Sequence, residues 1–206
     1  MRNRIIEELG DLPRSRFLVY LMGPYQAFDV EQVLDTADPT TVPESIDFGT
    51  LVESNQSLDR DQAALNLLLE ARDHLRTSAG VNAYLAIDVD VSLDEMDAAS
   101  QSIAFARASN VVAYVVPTIG DNLGVGIEVG SVLESLFDDE SPNHCRERVL
   151  FVHESGVRSA MIAAVRDRWE ARIYAYENRD DLFRQLRLFV RDVIRKEQTD
   201  QLPRLE

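Results

Sequence analysis

Phe17-Leu18-Val19-Tyr20-Leu21-Met22 is an unbroken apolar run stopped by Gly23-Pro24. A run of this length without alternation reads as a strand buried on both faces, as in a parallel sheet with helices above and below it. The signature returns downstream. Ala83-Tyr84-Leu85-Ala86-Ile87 ends in Asp88 and Asp90, Val111-Val112-Ala113-Tyr114-Val115-Val116 stops at Pro117, and Val149-Leu150-Phe151-Val152 follows. Ile173-Tyr174-Ala175-Tyr176 gives a fifth strand.

Helical patterns fill the intervals. Residues 2–11 form a short amphipathic helix ended by Pro13, and residues 25–57 carry Pro39 and Pro43 without a sustained period. A loop that long inside a compact domain is usually functional or partly disordered. Leu65, Leu68, Leu69, Ala71 and Leu75 recur at helical spacing and predict a helix from Leu58 to Ser78, with Ser57 as N-cap and Gly80 beyond its end. Ser92-Leu93-Asp94-Glu95 reads as a capping box for a helix through Ala108. Further helices are expected from Gly124 to Phe137 and over 157–169 and 179–197. Strands alternating with helices imply right-handed crossovers. The expected fold is α/β, a flavodoxin-like three-layer domain with a five-stranded parallel sheet in the order 2-1-3-4-5, spanning 1–206 as one domain. Ligands of such sheets sit beyond the carboxyl ends of the strands, where the strand order reverses.

Composition narrows the functions. The 206 residues contain 36 acidic and 21 basic side chains, a formal charge of −15. Such a chain repels phosphate backbones, which argues against nucleic acid as a partner. No apolar run is long enough to cross a membrane, and the charged N-terminus lacks a signal core, so a cytoplasmic location is expected. Cys145 is the only cysteine and Lys196 the only lysine. His144 beside Cys145 has no further ligand at metal spacing, so no metal is expected. An acidic, arginine-dominated surface resembles proteins of salt-accumulating haloarchaea; a GC-rich genome also favours arginine but does not by itself account for the −15 charge. In molar salt the Debye length shrinks to about 3 Å and self-repulsion is screened.

Two segments converge on the reversal point. One is Tyr20-Leu21-Met22-Gly23-Pro24-Tyr25, where Gly23 would admit a ligand to the backbone and Pro24 would stiffen the turn. Tyr25 and Gln26 follow, an aromatic ring and an amide suited to stacking on and reading a base, or to packing a turn. The other is Asp121-Asn122-Leu123-Gly124-Val125-Gly126-Ile127-Glu128-Val129-Gly130. Glu128 would lie in the first turns of a helix, where the macrodipole favours an ionised, nucleophilic carboxylate. Equally, the glycines would serve close helix–sheet packing and Glu128 would cap its own helix. No Lys-Ser/Thr pair follows, so this is not a phosphate loop.

The two segments resemble the nucleoside 2-deoxyribosyltransferase family, whose first strand ends in a Tyr-Leu-x-Gly-Pro type motif and which carries Gly-x-x-x-Glu-x-Gly after a later strand, matched by Gly124, Glu128 and Gly130. The resemblance spans residues 16–153 as topology and these two segments as motif. It implies that Glu128 attacks C1′ of a nucleoside or nucleotide, expelling the base, and that a second base or water takes the sugar. It implies no cofactor, and a homo-oligomer with sites near subunit boundaries. The chain departs from the pattern at three places. The aspartate expected two residues before the first motif glycine is Asn122, with Asp121 one place earlier. The base-protonating aspartate aligns with Gln101, so Asp97 or Asp88 would take its place. The position before the third strand is Asn110. The expected site is therefore catalytic Glu128, Asp97 and Asp121, with Gly23, Pro24, Tyr25, Gln26, Asp88, Asn122, Gly124 and Gly126 binding substrate. A non-catalytic nucleotide sensor and an interaction domain of the same fold are the alternatives. Lone His74 and His153 read as surface or core residues, Trp169 as a packing residue at the end of an amphipathic helix, and Arg184, Arg187, Arg191 and Arg195 as a solvated or oligomer-facing helix stripe.

Overall fold

The computed structural model describes residues 1–24, 48–118, 130–137, 143–157, 167, 169 and 171–205, with the side chains of 48–61, 143 and 144 outside that description. Five parallel strands form one sheet in the order β2-β1-β3-β4-β5. They are β1 (Arg14–Met22), β2 (Val81–Tyr84), β3 (Val111–Val116), β4 (Val149–Glu154) and β5 (Arg172–Tyr176). The helices named below are α1 (Arg2–Leu9), α2 (Phe48–Ala79), α3 (Ala98–Ala108), α4 (130–136) and α5 (Arg179–Gln198). No helix among the described residues is long and apolar enough to cross a membrane.

The continuous apolar strands are explained by the two cores they separate. Val19, Leu21, Ala113, Val115, Leu150 and Val152 pack with Leu68, Ala71 and Leu75 of α2 and with Leu182, Leu186 and Val190 of α5. The alternate residues Leu18, Tyr20, Met22, Val112, Tyr114 and Phe151 pack with Ile5 of α1, Phe105 of α3 and Leu133 of α4. Every residue of β3 is buried, because each side chain has a core waiting for it. Trp169 packs against the second core, and His74 stacks on Phe183 with ring centroids 5.0 Å apart.

Several boundaries differ from the sequence reading: the first helix ends at Leu9, and the first and fifth strands begin at Arg14 and Arg172. The helix expected to begin at Leu58 begins at Phe48, so 48–57 belong to α2 and not to the long loop. Ser57 looks like a cap, but it lies inside a helix that runs past it; Phe48, Leu51 and Leu58 continue the apolar spacing through the polar stretch Ser54-Asn55-Gln56-Ser57. The second strand runs Val81–Tyr84 and not to Ile87. Asp88 ends it early: its carboxylate accepts from Leu85 N–H at 2.9 Å and its own N–H returns to Leu85 O, winding Ala86–Asp88 into a 3₁₀ turn. The expected capping box forms only in part. Glu95 N–H donates to Ser92 Oγ at 3.2 Å, but this closes a turn, and α3 starts later, at Ala98. The fourth strand runs two residues further, to Glu154. Expected loop residues 25–47, residues 124–129 of the expected helix 124–137, and most of the expected helix 157–169 lie outside the described residues.

The amino ends of the strands are tied by a buried polar network. Asn110 Oδ1 accepts from Leu18 N–H at 3.0 Å and from Arg2 at 3.0 Å, and its Nδ2 donates to Glu197 at 2.9 Å. Arg148 donates to the same Glu197 oxygen at 2.5 Å, to Asn110 O at 3.1 Å and to Pro203 O. Arg2 also reaches Leu205 O at 3.1 Å, so the C-terminal segment is fastened beneath the sheet. Asn110 therefore joins β1, β3 and α5 at the end of the sheet opposite the expected crevice.

Candidate functional site

The crevice is defined by the connections. From β1 the chain returns to β2 through α2, on one face of the sheet; from β3 it proceeds to β4 through α4, on the other. The helices that follow these adjacent strands thus cover opposite faces of the sheet, the arrangement in which α/β sheets generally hold ligands beyond the carboxyl ends of the strands. The end of β1 supplies Met22, Gly23 and Pro24, all buried, and the end of β3 supplies Pro117 and Thr118. β4 ends beside them in His153 and Glu154.

Gly23 has a structural reason to be glycine. A Cβ there would lie 2.8 Å from Leu68 Cδ1 and 3.0 Å from the Val115 carbonyl oxygen. The space expected to admit a ligand is taken by α2 packing on β1, so Gly23 is a close-approach residue of the core on that side.

Asp88 and Asp97 are not brought to the cleft as a free pair of acids. Asp88 Oδ1 is 2.5 Å from Arg72, and its other oxygen accepts from Leu85 N–H and lies 3.9 Å from Arg76. Its carboxylate therefore clamps the end of β2 to α2. Asp97 is the N-cap of α3: its side chain accepts from Ser100 N–H at 3.0 Å and from Ser100 Oγ at 2.6 Å. The Ser100 hydroxyl and N–H hold the Asp97 carboxyl below its usual range. A fully ionised, exposed cap is a poor proton donor near neutral pH. Gln101, the residue aligned with the family's acid, is buried and donates to Val91 O at 3.0 Å and to Met96 O at 2.7 Å. Its amide pins the turn before α3, a task that an aspartate would not perform.

Glu128, Asp121, Asn122, Gly124, Gly126, Tyr25 and Gln26 lie outside the described residues. Of the flanking motif, Gly130 opens the described part of α4.

One carboxylate at this edge was not singled out from sequence. Glu154 Oε2 accepts from Thr118 N–H at 2.8 Å and from Thr118 Oγ1 at 2.6 Å, linking the ends of β3 and β4. Glu154 is in register with Tyr176, whose hydroxyl is buried and has no hydrogen-bond partner among the described residues. Burial, and then the Glu154 charge, push the Tyr176 hydroxyl well above its ordinary range, so it stays protonated. The signal was available: an apolar strand ending in an acid marked Asp88, and Val149-Leu150-Phe151-Val152-His153-Glu154 repeats it.

A search of curated proteins found no match to the chain. A family model described as a domain of unknown function, DUF7509, matches residues 2–206, and the chain belongs to that family.

Proposed function

We propose that the cleft between the carboxyl ends of β1 and β3 binds a nucleoside or nucleotide and that Glu128 cleaves its N-glycosidic bond. The observation that carries this reading is the reversal of strand order at β1 and β3, because the two motif segments follow these two strands. In the first step a Glu128 carboxylate oxygen bonds to C1′ while the bond to the base breaks, its electron pair passing to the base nitrogen. The base takes a proton from an acid or from water. Water or a second base then attacks C1′ and releases the carboxylate. No cofactor enters this chemistry. The test is incubation of the full chain with a panel of nucleosides and nucleotides, followed by assay for free base. Release by the wild type that is lost in a folded Glu128→Gln variant supports the reading; release retained in that variant ends it.

One observation favours a second reading, in which the cleft binds a nucleotide without cleaving it. Asp97 and Gln101 are committed to α3 and the turn before it, and Asp88 to Arg72, which leaves base protonation without a described donor from that set. Saturable binding with no base release across the panel would establish it.

We also propose a cytoplasmic, salt-requiring homo-oligomer. The −15 charge supports the salt requirement, with a melting temperature that rises from low salt to molar KCl. A flat or falling trend would refute it. Light scattering at molar salt showing only a 23.2 kDa species would refute assembly. On α5, Arg184 pairs with Asp181 at 2.6 Å and Arg195 with Asp192 at 2.8 Å, so both are held within their own helix.

A further inference from the structure

Alternation along the strands places Glu154 on the face that carries Leu150 and Val152, the face covered by α2 and α5. Tyr176 belongs to the same core and is paired in register with Glu154. An otherwise apolar face thus ends, at the carboxyl edge of the sheet, in a carboxylate beside a buried phenol. No described arginine or lysine forms an ion pair with Glu154, whereas Asp88, Asp192, Glu147 and Glu197 each have one. Both described hydrogen bonds to Glu154 fall on Oε2 and come from one residue, Thr118, which anchors that oxygen. Among the described residues nothing donates to its other oxygen, Oε1. Tyr176 is 3% exposed, and its hydroxyl, a donor with no acceptor among the described residues, is the independent sign of unfinished polar chemistry at this edge. A fold needing only a tie between β3 and β4 would gain nothing from that hydroxyl.

We propose that Glu154, oriented by Thr118 and with Tyr176 alongside, is a sugar-binding residue that accepts a hydrogen bond from a ribose hydroxyl of the ligand in the cleft. This rests on the nucleoside reading above and adds to it a ligand class: sugars that keep their 2′- and 3′-hydroxyls. A hydrogen bond to a charged carboxylate is among the stronger single contacts available, and a site built around one rejects analogues that lack the donor.

The test is equilibrium binding of the full chain to adenosine, guanosine, cytidine and uridine and to their 2′,3′-dideoxy counterparts. It compares wild type, Glu154→Gln and Tyr176→Phe, with a melting curve for each. The expected wild-type result is at least tenfold tighter binding of one ribonucleoside than of its dideoxy form. Glu154→Gln should bring the ribonucleoside down to the dideoxy level and leave dideoxy binding unchanged. Tyr176→Phe should reduce the preference less while folding normally. A folded Glu154→Gln variant that keeps both affinity and preference overturns the inference and leaves the nucleoside reading standing. A wild type that binds no member of the panel overturns the inference and the nucleoside form of the reading on which it rests. If Glu154→Gln does not fold, Thr118→Val is the substitute, since it removes only the hydroxyl that orients the carboxylate; an unchanged preference there overturns the inference.

Discussion

Replacing Glu197 by alanine should destabilise this protein more than any surface substitution. Its carboxylate sits 2.5 Å from Arg148, and the two side chains are 10% and 6% exposed. The same oxygen accepts from Asn110 Nδ2 at 2.9 Å. Without it a guanidinium and an amide lose their shared acceptor inside the protein. Breaking a buried ion pair by removing one partner costs about 3–5 kcal/mol. Arg148 keeps the carbonyls of Asn110 and Pro203, which argues for the lower end, about 3 kcal/mol. For a chain of this size each kcal/mol moves Tm by about 2–4 °C, so a fall of about 6–12 °C is expected. Urea unfolding of Glu197→Ala, with the slope checked against the wild type, measures the cost directly. The double variant Arg148→Met, Glu197→Leu should be less destabilised than Glu197→Ala alone, because no charge is then left stranded. A cost below about 1 kcal/mol for Glu197→Ala, or a double variant at least as destabilised as Glu197→Ala, would refute the reasoning.

Gly23→Ala should cost about 1–3 kcal/mol, because its Cβ would press on Leu68 and on the Val115 carbonyl, which is backbone and cannot turn aside; unchanged urea unfolding would contradict this. Asp97→Ala should lower the melting temperature by removing the α3 cap while sparing any base release, and loss of release without loss of stability would restore Asp97 as an acid. The Asp192 carboxyl sits at about 2: burial, the largest single influence, pushes it up, but hydrogen bonds from Arg195, Arg172 and Lys196 outweigh burial. Its folded pKa is therefore below its unfolded value, so its contribution is present above about pH 4 and disappears as pH falls towards 2. Partial exposure limits that contribution to about 1 kcal/mol. The stability gap between wild type and Asp192→Asn should close across that interval, and a gap independent of pH would show that the carboxylate contributes nothing as a charge.

The strands were legible because burial on both faces leaves a continuous apolar run; β3 matches its expected residues from Val111 to Val116. Helix starts were harder. Ser57 and Ser92 have the chemistry of caps, yet one lies inside α2 and the other closes a turn, because a serine hydroxyl satisfies whichever N–H the chain presents. Asp97 was visible as a carboxylate, but its partner Ser100 decides that it is a cap. Asn110, Arg148 and Glu197 are far apart in sequence, and no local pattern shows that they share one buried network. Glu154 lay in plain view at the end of an apolar strand; what singles it out is Thr118, supplied by the neighbouring strand.

The central claim is the chemistry of Glu128, and the most direct measurement is free base released from a nucleoside and nucleotide panel at molar salt by wild type and by Glu128→Gln, with a melting curve on each. The expected result is base release by the wild type, lost by orders of magnitude in a variant that melts within a few degrees of it. Equal release by both proteins, or Glu128→Gln losing stability with release intact, would contradict it and leave Glu128 as the cap of its own helix.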